Sequence, residues 1–238
     1  MKTLFPILDG VISQNYGENP EFYKKRFGLA SHNGTDIYSF HGDKLYLCRK
    51  MFIYKTYDLN SGSVSKGFGL CGLTELEEND ICYEYVYWHT MSNLQVKKGS
   101  WYEQGEICAY EGGSGIVYSG QVEVPDSQKG IPPYPGTHLH WGKRKVQRTK
   151  KGTGYFLHSI DGTLFVDSEG YSYEIIDYQN GNLGFIDPMV DEIIYYRDFF
   201  IVPLPPELPI QPTISEKINW LESIKVWLQK VLNWLKGR

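Results

Sequence analysis

Residues 136–142 read Gly-Thr-His-Leu-His-Trp-Gly, and this stretch constrains the fold and the chemistry of the chain more than any other. Its alternating pattern is typical of a β-strand, in which successive side chains point to opposite faces. His138 and His140 therefore face one way, and Leu139 and Trp141 face the other. Two imidazoles on one face of a rigid strand can bind one small group together, such as a metal ion or a reacting carbonyl. Alternatively, one histidine is buried in the core and the other is solvated. The choice depends on whether the chain supplies a third ligand, an acid and an acid/base group.

The composition indicates a folded, β-rich protein. The 238 residues are 41% hydrophobic and 15% aromatic, with 25 glycines and 12 prolines, which suits one large domain with a small appendage. A net charge of −4 argues against a general nucleic-acid binder, because such a protein carries a basic face. The cysteines form no Cys-x-x-Cys pair and are expected to be buried, reduced thiols. They are Cys48, Cys71, Cys82 and Cys108.

No targeting or membrane-spanning segment is visible in the sequence. Residues 1–7, Met-Lys-Thr-Leu-Phe-Pro-Ile, lack the apolar stretch and the small-residue cleavage site of a secretory signal. No apolar run reaches the length of about 18 residues that a membrane helix needs. We therefore expect a protein made in the cytoplasm that acts on the outside only after release or as part of a particle.

Residues 32–36 read His-Asn-Gly-Thr-Asp and provide a second pair of candidate ligands. Asn-Gly is a strong turn dipeptide, so His32 and Asp36 flank a bend and can converge on one point. Imidazole and carboxylate together suit zinc, although such a pair is also common on protein surfaces. Residues 1–30, which lead to this motif, carry turn and aromatic signals and are expected to form a short strand and an irregular loop.

Residues 81–89, Ile-Cys-Tyr-Glu-Tyr-Val-Tyr-Trp-His, predict a strand rich in aromatic residues that ends at His89. A histidine at the end of a rigid strand is held firmly enough for proton transfer, and its pKa suits this task near neutral pH. The alternative is that His89 merely ends the strand.

Together these histidines match the order of a known motif set. His32-x-x-x-Asp36, Tyr87-Trp88-His89 and Gly136-Thr137-His138-Leu139-His140 resemble the motifs of the lysostaphin- and LytM-type zinc metallopeptidases, the M23 peptidase family. The resemblance covers roughly residues 5–142, with a further similar segment at 184–188. It implies a mainly antiparallel β-sheet core with a groove walled by loops.

The resemblance also implies roles for the site residues. His32, Asp36 and His140 would hold Zn²⁺ and leave a fourth position open, while His89 and His138 would act in acid/base catalysis and transition-state stabilisation. The implied activity is hydrolysis of peptide bonds in the stem or cross-bridge of bacterial peptidoglycan. The lack of a visible secretory signal, a proline-rich linker and a cationic C-terminal helix together indicate a cell-wall lysin of phage type (an endolysin). The alternative is a catalytically inactive wall-binding or virion structural module on the same fold.

Residues 143–183 form an extension that the family core does not need. The extension begins with a run of cations, which either forms a solvated strand edge or lines the groove and attracts an anionic wall polymer. The run consists of Lys143, Arg144, Lys145, Arg148, Lys150 and Lys151.

The sequence predicts three parts. Residues 1–200 form the peptidase domain with its β extension, 201–214 form a stiff linker with five prolines, and 215–238 form an amphipathic helix. Tryptophan and leucine each recur every seven residues along this cationic helix. Its apolar face is expected to meet an anionic membrane surface, a second copy of the chain or the peptidase domain itself.

Overall fold

Strands dominate the structure, a computed structural model that describes residues 2–120 and 122–196. In chain order the strands are β1 (Lys2–Leu4), β2 (Val11–Gln14), β3 (Thr35–Tyr38), β4 (Lys44–Tyr46), β5 (Met51–Tyr57), β6 (Gly69–Thr74), β7 (Ile81–Trp88), β8 (Ser100–Tyr102), β9 (Ile107–Tyr110), β10 (Tyr118–Ser119), β11 (Val122–Glu123), β12 (Leu139–Thr149), β13 (Ser172–Ile175), β14 (Phe185–Ile186) and β15 (Glu192–Ile194). The described helices are α1 (Pro20–Phe27) and three short 3₁₀ turns at Glu78–Asp80, Asp126–Gln128 and Pro188–Val190. The prediction of a mainly β fold with antiparallel sheets is confirmed.

A nine-stranded sheet organises this part of the chain, with β12 as its central strand. The order is β2-β3-β12-β7-β6-β5-β8, and β13 and β14 also pair with β12. Every pairing in this sheet is antiparallel. β7 flanks one side of β12, and β3, β14 and β13 follow one another along its other side. β12 is therefore an interior strand from end to end.

The two faces of β12 look into two separate cores. Leu139 and Trp141 point into a first core that lies under the sheet and includes Tyr85 and Tyr87 of β7. The opposite face carries His140 at one end and Val146 at the other. Val146 belongs to a second core that the extension builds with buried residues Leu157, Phe165, Tyr173 and Ile175, together with Phe185 of β14. The candidate ligands and the extension thus share one face of the sheet.

The cationic run does not form a strand edge, so that expectation is wrong. Lys143 is buried and ion-paired with Asp191, and Arg144 is paired with buried Glu84. Further along the strand, Arg148 is paired with Asp167 and Glu169. An interior strand takes up cations only where partners neutralise them.

Residues 20–27 form helix α1, where the sequence predicts an irregular loop. Pro20 stands in the first turn, and Gly28 ends the helix in a left-handed conformation (φ 70°), in keeping with helix-start and helix-stop preferences. None of its residues is fully buried, so the apolar periodicity that normally reveals a helix is weak. Tyr23 connects the helix to the site, because its ring lies 5.0 Å from that of His32.

The four cysteines are free and buried, as expected. Among the described residues, no helix is long and apolar enough to span a bilayer. The proposed linker 201–214 and helix 215–238 lie outside the described residues, and the division of the chain into three parts stays a prediction.

Candidate metal centre

Strand register brings the candidate ligands together. Asp36 on β3 lies directly opposite His140 on β12, which in turn lies opposite Trp88 on β7. Cross-strand partners share a face of the sheet, so the carboxylate and the imidazole project to the same side. His32 lies in the loop just before β3 and approaches them from above the sheet edge.

Three ligand atoms converge on one point. His32 Nε2 lies 3.1 Å from His140 Nδ1 and 3.1 Å from Asp36 Oδ1, and His140 Nδ1 lies 3.0 Å from the same carboxylate oxygen. The three atoms form a nearly equilateral triangle. A tetrahedral ion with ligands at about 2.0 Å has ligand–ligand edges of about 3.3 Å, close to this spacing.

The hydrogen-bond chemistry of the triangle also favours a cation. His32 Nδ1 lies 3.0 Å from the carbonyl oxygen of Asn15, so Nδ1 carries the proton and donates it, and Nε2 keeps a lone pair. That lone pair faces a carboxylate oxygen, which is also an acceptor. A single proton shared by His140 and Asp36 would make a hydrogen bond at only one of the three contacts. A positive ion satisfies all three, so His32, Asp36 and His140 fit a metal ion.

Two further histidines stand beside the triangle with fixed orientation. His89 Nδ1 donates to the carbonyl oxygen of Ser114 at 2.7 Å, and His138 Nδ1 donates to that of Gly136 at 2.9 Å. In both rings the Nε2 atom is left to face the site, and that of His138 lies 3.6 Å from Asp36 Oδ2. The two ring centres are 4.6 Å apart.

The pKa values of Asp36, His140 and His89 determine which of these side chains are charged at neutral pH. Burial by itself would raise the pKa of Asp36, but His138, His140 and His32 outweigh it and hold that pKa well below its usual range. Burial lowers the pKa of His140 against the opposing effect of Asp36. Burial, helped by His138 and His140, lowers the pKa of His89 to about 3. At neutral pH we therefore expect an ionised Asp36 and uncharged imidazoles at positions 89 and 140.

The site opens into a cavity of about 1220 Å³. Helix α1 and segments 115–120 and 133–137 wall it with aromatic, apolar and backbone groups. Arg26 on α1 donates to the hydroxyl of Tyr118 at 2.6 Å and forms an ion pair with Glu123. These contacts join α1 to the β10–β11 hairpin on the opposite wall.

All five site residues predicted from the sequence lie at this one place. Two other residues line the cavity, Tyr23 and Arg144. The sequence patterns did not point to Tyr23, and they gave Arg144 only as one cation of a run that either lines the groove or forms a strand edge. The helix signals around α1 could have placed Tyr23. For Arg144 the local sequence shows only a cationic run, and its position depends on which strands flank β12.

No family model and no curated protein sequence matches this chain. Among solved structures, it is similar to a zinc-containing peptidase from Vibrio cholerae (22% identity, TM-score 0.40, 58% of this chain and 35% of that one). It is also similar to the catalytic domain of the antimicrobial peptidase lysostaphin from Staphylococcus simulans (18%, 0.37, 58% and 81%). A third similar structure is the catalytic domain of the prophage-encoded M23 protein EnpA from Enterococcus faecalis (18%, 0.37, 58% and 82%). The chain thus spans about a third of the Vibrio cholerae protein.

Proposed function

We propose that this protein is a zinc metalloendopeptidase that hydrolyses peptide bonds of bacterial peptidoglycan, in the stem or the cross-bridge. The observation that carries the proposal is the triangle of His32 Nε2, Asp36 Oδ1 and His140 Nδ1, with sides of 3.0–3.1 Å, beside His89 and His138. Three protein ligands leave one position of a tetrahedral ion free for chemistry. The resemblance of the sequence motifs to those of the M23 peptidases supports peptidoglycan as the substrate.

Zinc bound here supplies Lewis acidity toward a peptide carbonyl and a lowered pKa for a water molecule. We assign the proton transfers of the reaction to the side chains of His89 and His138. With Nδ1 of each ring fixed on a backbone carbonyl, Nε2 keeps a lone pair that can accept a proton during the reaction and pass it to the leaving amine. The lowered pKa of His89 keeps this ring uncharged before the reaction begins.

We place the action of the enzyme on the cell wall after release from the cytoplasm or as part of a particle. This setting is the one expected of a phage-type lysin, and its support comes from the amino-acid sequence alone. A catalytically inactive wall-binding or virion module is the alternative, and a peptidoglycan digest separates the two.

The test of the enzyme is a digest of purified peptidoglycans that differ in cross-bridge chemistry, with the new chain ends identified by mass spectrometry. New amino and carboxyl termini in at least one of them would establish endopeptidase activity and locate the bond. Binding to the wall without any new terminus, by zinc-loaded protein, would establish the inactive module instead.

The metal assignment has its own prediction. We expect the purified protein to hold about one zinc per chain, and expect Asp36→Ala, His32→Ala and His140→Ala each to lose most of it, since three ligands are the minimum of such a site. Elemental analysis after dialysis measures this. The exposed His158→Ala variant serves as control and should keep its zinc, whereas undiminished zinc in Asp36→Ala would remove that residue from the ligand set.

A further inference from the structure

Arg144 lies in the same cavity as the candidate metal centre, on the same face of β12. Counting along the strand from His140, Gly142 comes next on this face and then Arg144, because every second residue shares a face. At about 3.3 Å per residue, the backbone of Arg144 is about 13 Å from that of His140. Both residues line the cavity. The ring of Phe185 packs over Gly142 between them, with its Cε1 2.5 Å from the place where a Cβ of Gly142 would be.

Glu84 and Phe185 hold the guanidinium of Arg144 in place. Its Nε donates to Glu84 Oε2, while the hydroxyl of Tyr54 donates to Glu84 Oε1. Glu84 and Tyr54 are almost completely buried, and the ring of Phe185 packs on the guanidinium, with Cζ 4.4 Å from its centroid. Within the part of the chain that the structure describes, Nε is the nitrogen of Arg144 that donates a hydrogen bond, and the two Nη nitrogens donate none. A ligand in the cavity therefore meets this cation before it meets Glu84.

The cavity floor ends at Arg144. Leu183 and Phe185 line the cavity at this end, and beyond Arg144 the same sheet face is covered by the second core around Val146. The covering segment is firmly attached, because the hydroxyl of Tyr16 donates to the carbonyl of Phe185 at 2.9 Å and Asn182 donates to that hydroxyl at 3.1 Å. An extended peptide that runs from the metal centre along β12 must end or turn where the ring of Phe185 covers Gly142, beside Arg144.

The charges on the cavity wall show which group fits at that end. Among the described residues that line it, the charged side chains are Asp36, Lys66 and Arg144. Asp36 is committed to the histidines. Arg144 is paired with Glu84, but Glu84 does not line the cavity, so the other charged groups that face a substrate are the cations Lys66 and Arg144. A guanidinium with both Nη groups available matches a carboxylate, which it can bind through two parallel hydrogen bonds.

We propose that Arg144 is a specificity residue that binds a carboxylate of the substrate peptide, within roughly four residues of the scissile bond. The carboxylate belongs either to the chain end or to an acidic side chain of the stem peptide. The inference rests on the proposed peptidase function and refines it, since a neutral glycine cross-bridge offers no partner for Arg144.

The experiment measures binding and turnover separately. Zinc-loaded wild-type protein is titrated calorimetrically with a synthetic stem pentapeptide in three forms: both carboxylates free, the chain end amidated, and the side-chain carboxylate amidated. We expect one amidation to weaken binding by roughly 10- to 100-fold, which is the usual effect of losing a charge-assisted pair. The form that binds weakly identifies the source of the carboxylate. Where the peptide is cleaved, the same factor should appear in KM and leave kcat almost unchanged.

Variants assign the effect to Arg144. Arg144→Gln together with Glu84→Gln leaves no unpaired buried charge and should bind all three peptides equally weakly, and Arg144→Lys should recover part of the preference. The matched control is Arg148→Gln on the same strand, because Arg148 has similar ion pairs and does not line the cavity. This control should keep the wild-type preference.

Equal affinity of wild-type protein for the three peptides, or no binding of any, would overturn the assignment of Arg144. Peptidoglycan cleavage could still be observed in that case, and the proposed function would stand. Conversely, a preference that depends on Arg144, together with no new terminus in any of the peptidoglycan digests, would support the carboxylate site and refute the peptidase.

Discussion

Backbone carbonyls orient His89 and His138, as one also orients His32, but these two histidines add no atom to the triangle of candidate ligands. Each ring turns its Nδ1 proton toward a backbone carbonyl at 2.7–2.9 Å, which fixes the ring without help from a metal ion. Removing either ring should therefore leave the ligand triangle intact and remove only a group that handles protons.

We accordingly expect His89→Ala and His138→Ala to keep about one zinc per chain and to lose on the order of 10²-fold or more in kcat. Zinc analysis and turnover of soluble wall fragments, measured on the same samples, test this. Full activity in either variant would make that histidine structural, and loss of zinc would make it a ligand.

Glu111 is a second residue whose protonation is set by its surroundings. Its side chain is completely buried. Oε1 accepts the backbone N–H of Ser39 at 3.0 Å, and Oε2 has no hydrogen-bond partner among the described residues. Burial, reinforced by Asp43 and opposed by the Ser39 N–H, raises the pKa of Glu111 from 4.5 to about 8. The folded protein therefore keeps this carboxyl protonated at neutral pH.

The consequence for stability has a definite sign. Between pH 4.5 and about 8 the folded chain binds a proton at Glu111 that the unfolded chain has lost, so the free energy of unfolding falls as pH rises through this window. Glu111→Gln should remove this decline and stabilise the protein most near pH 8. Urea unfolding of zinc-free protein at several pH values measures it, with the exposed Glu78→Gln as control. The prediction fails if the wild type and Glu111→Gln show the same pH slope.

At the scale of elements, the close packing of the loop before β3 against β12 sets the geometry of the centre. Gly34 lies in this loop, and a Cβ atom there would lie 2.6 Å from Cε1 and 2.7 Å from Nε2 of His140. Real Cβ atoms do not approach so closely, so an added methyl group must displace the ring or the loop.

Gly34→Ala should therefore bind zinc at least about tenfold more weakly while the sheet stays folded, because small misplacements of a ligand reduce affinity strongly. Gly113→Ala is the control, since the nearest atom to its Cβ would be 3.5 Å away. Zinc competition with a chelating dye measures affinity, and circular dichroism measures folding. Wild-type zinc affinity in Gly34→Ala would show that the loop can move away freely.

The elements that the sequence predicted are those with a strong local pattern. Alternation marked β7 and the start of β12, because each has one face in the first core. Alternation could not predict that Asp36 lies opposite His140, because pairing between residues so far apart in the chain depends on the whole sheet. The resemblance to the family motifs is what brought these two residues together. The sequence left the cationic run undecided between a strand edge and a groove wall for the same reason, because the strands that flank Lys143 and Arg144 lie far along the chain.

At the scale of the whole molecule, the sequence hypothesis for residues 215–238 leads to one more prediction. A chain that ends after Pro212 should keep its zinc and its cleavage of soluble wall fragments, but should act less on intact cells if the helix binds anionic lipid. Tryptophan fluorescence of the full chain should then shift to the blue with anionic vesicles. No shift, together with a dimeric mass that becomes monomeric on truncation, would favour self-association instead.

The second core limits how this protein can be shortened or recombined. The segment that resembles the peptidase family ends near residue 142, yet the ring of Phe185 lies where a Cβ of Gly142 would be, 2.5 Å from its Cε1. Val86 and Cys82 on β7 are covered by residues of the extension. A fragment cut at the end of the family resemblance would leave this face bare and prone to aggregate. For anyone joining this sheet to another domain, the earliest safe junction therefore lies after β15.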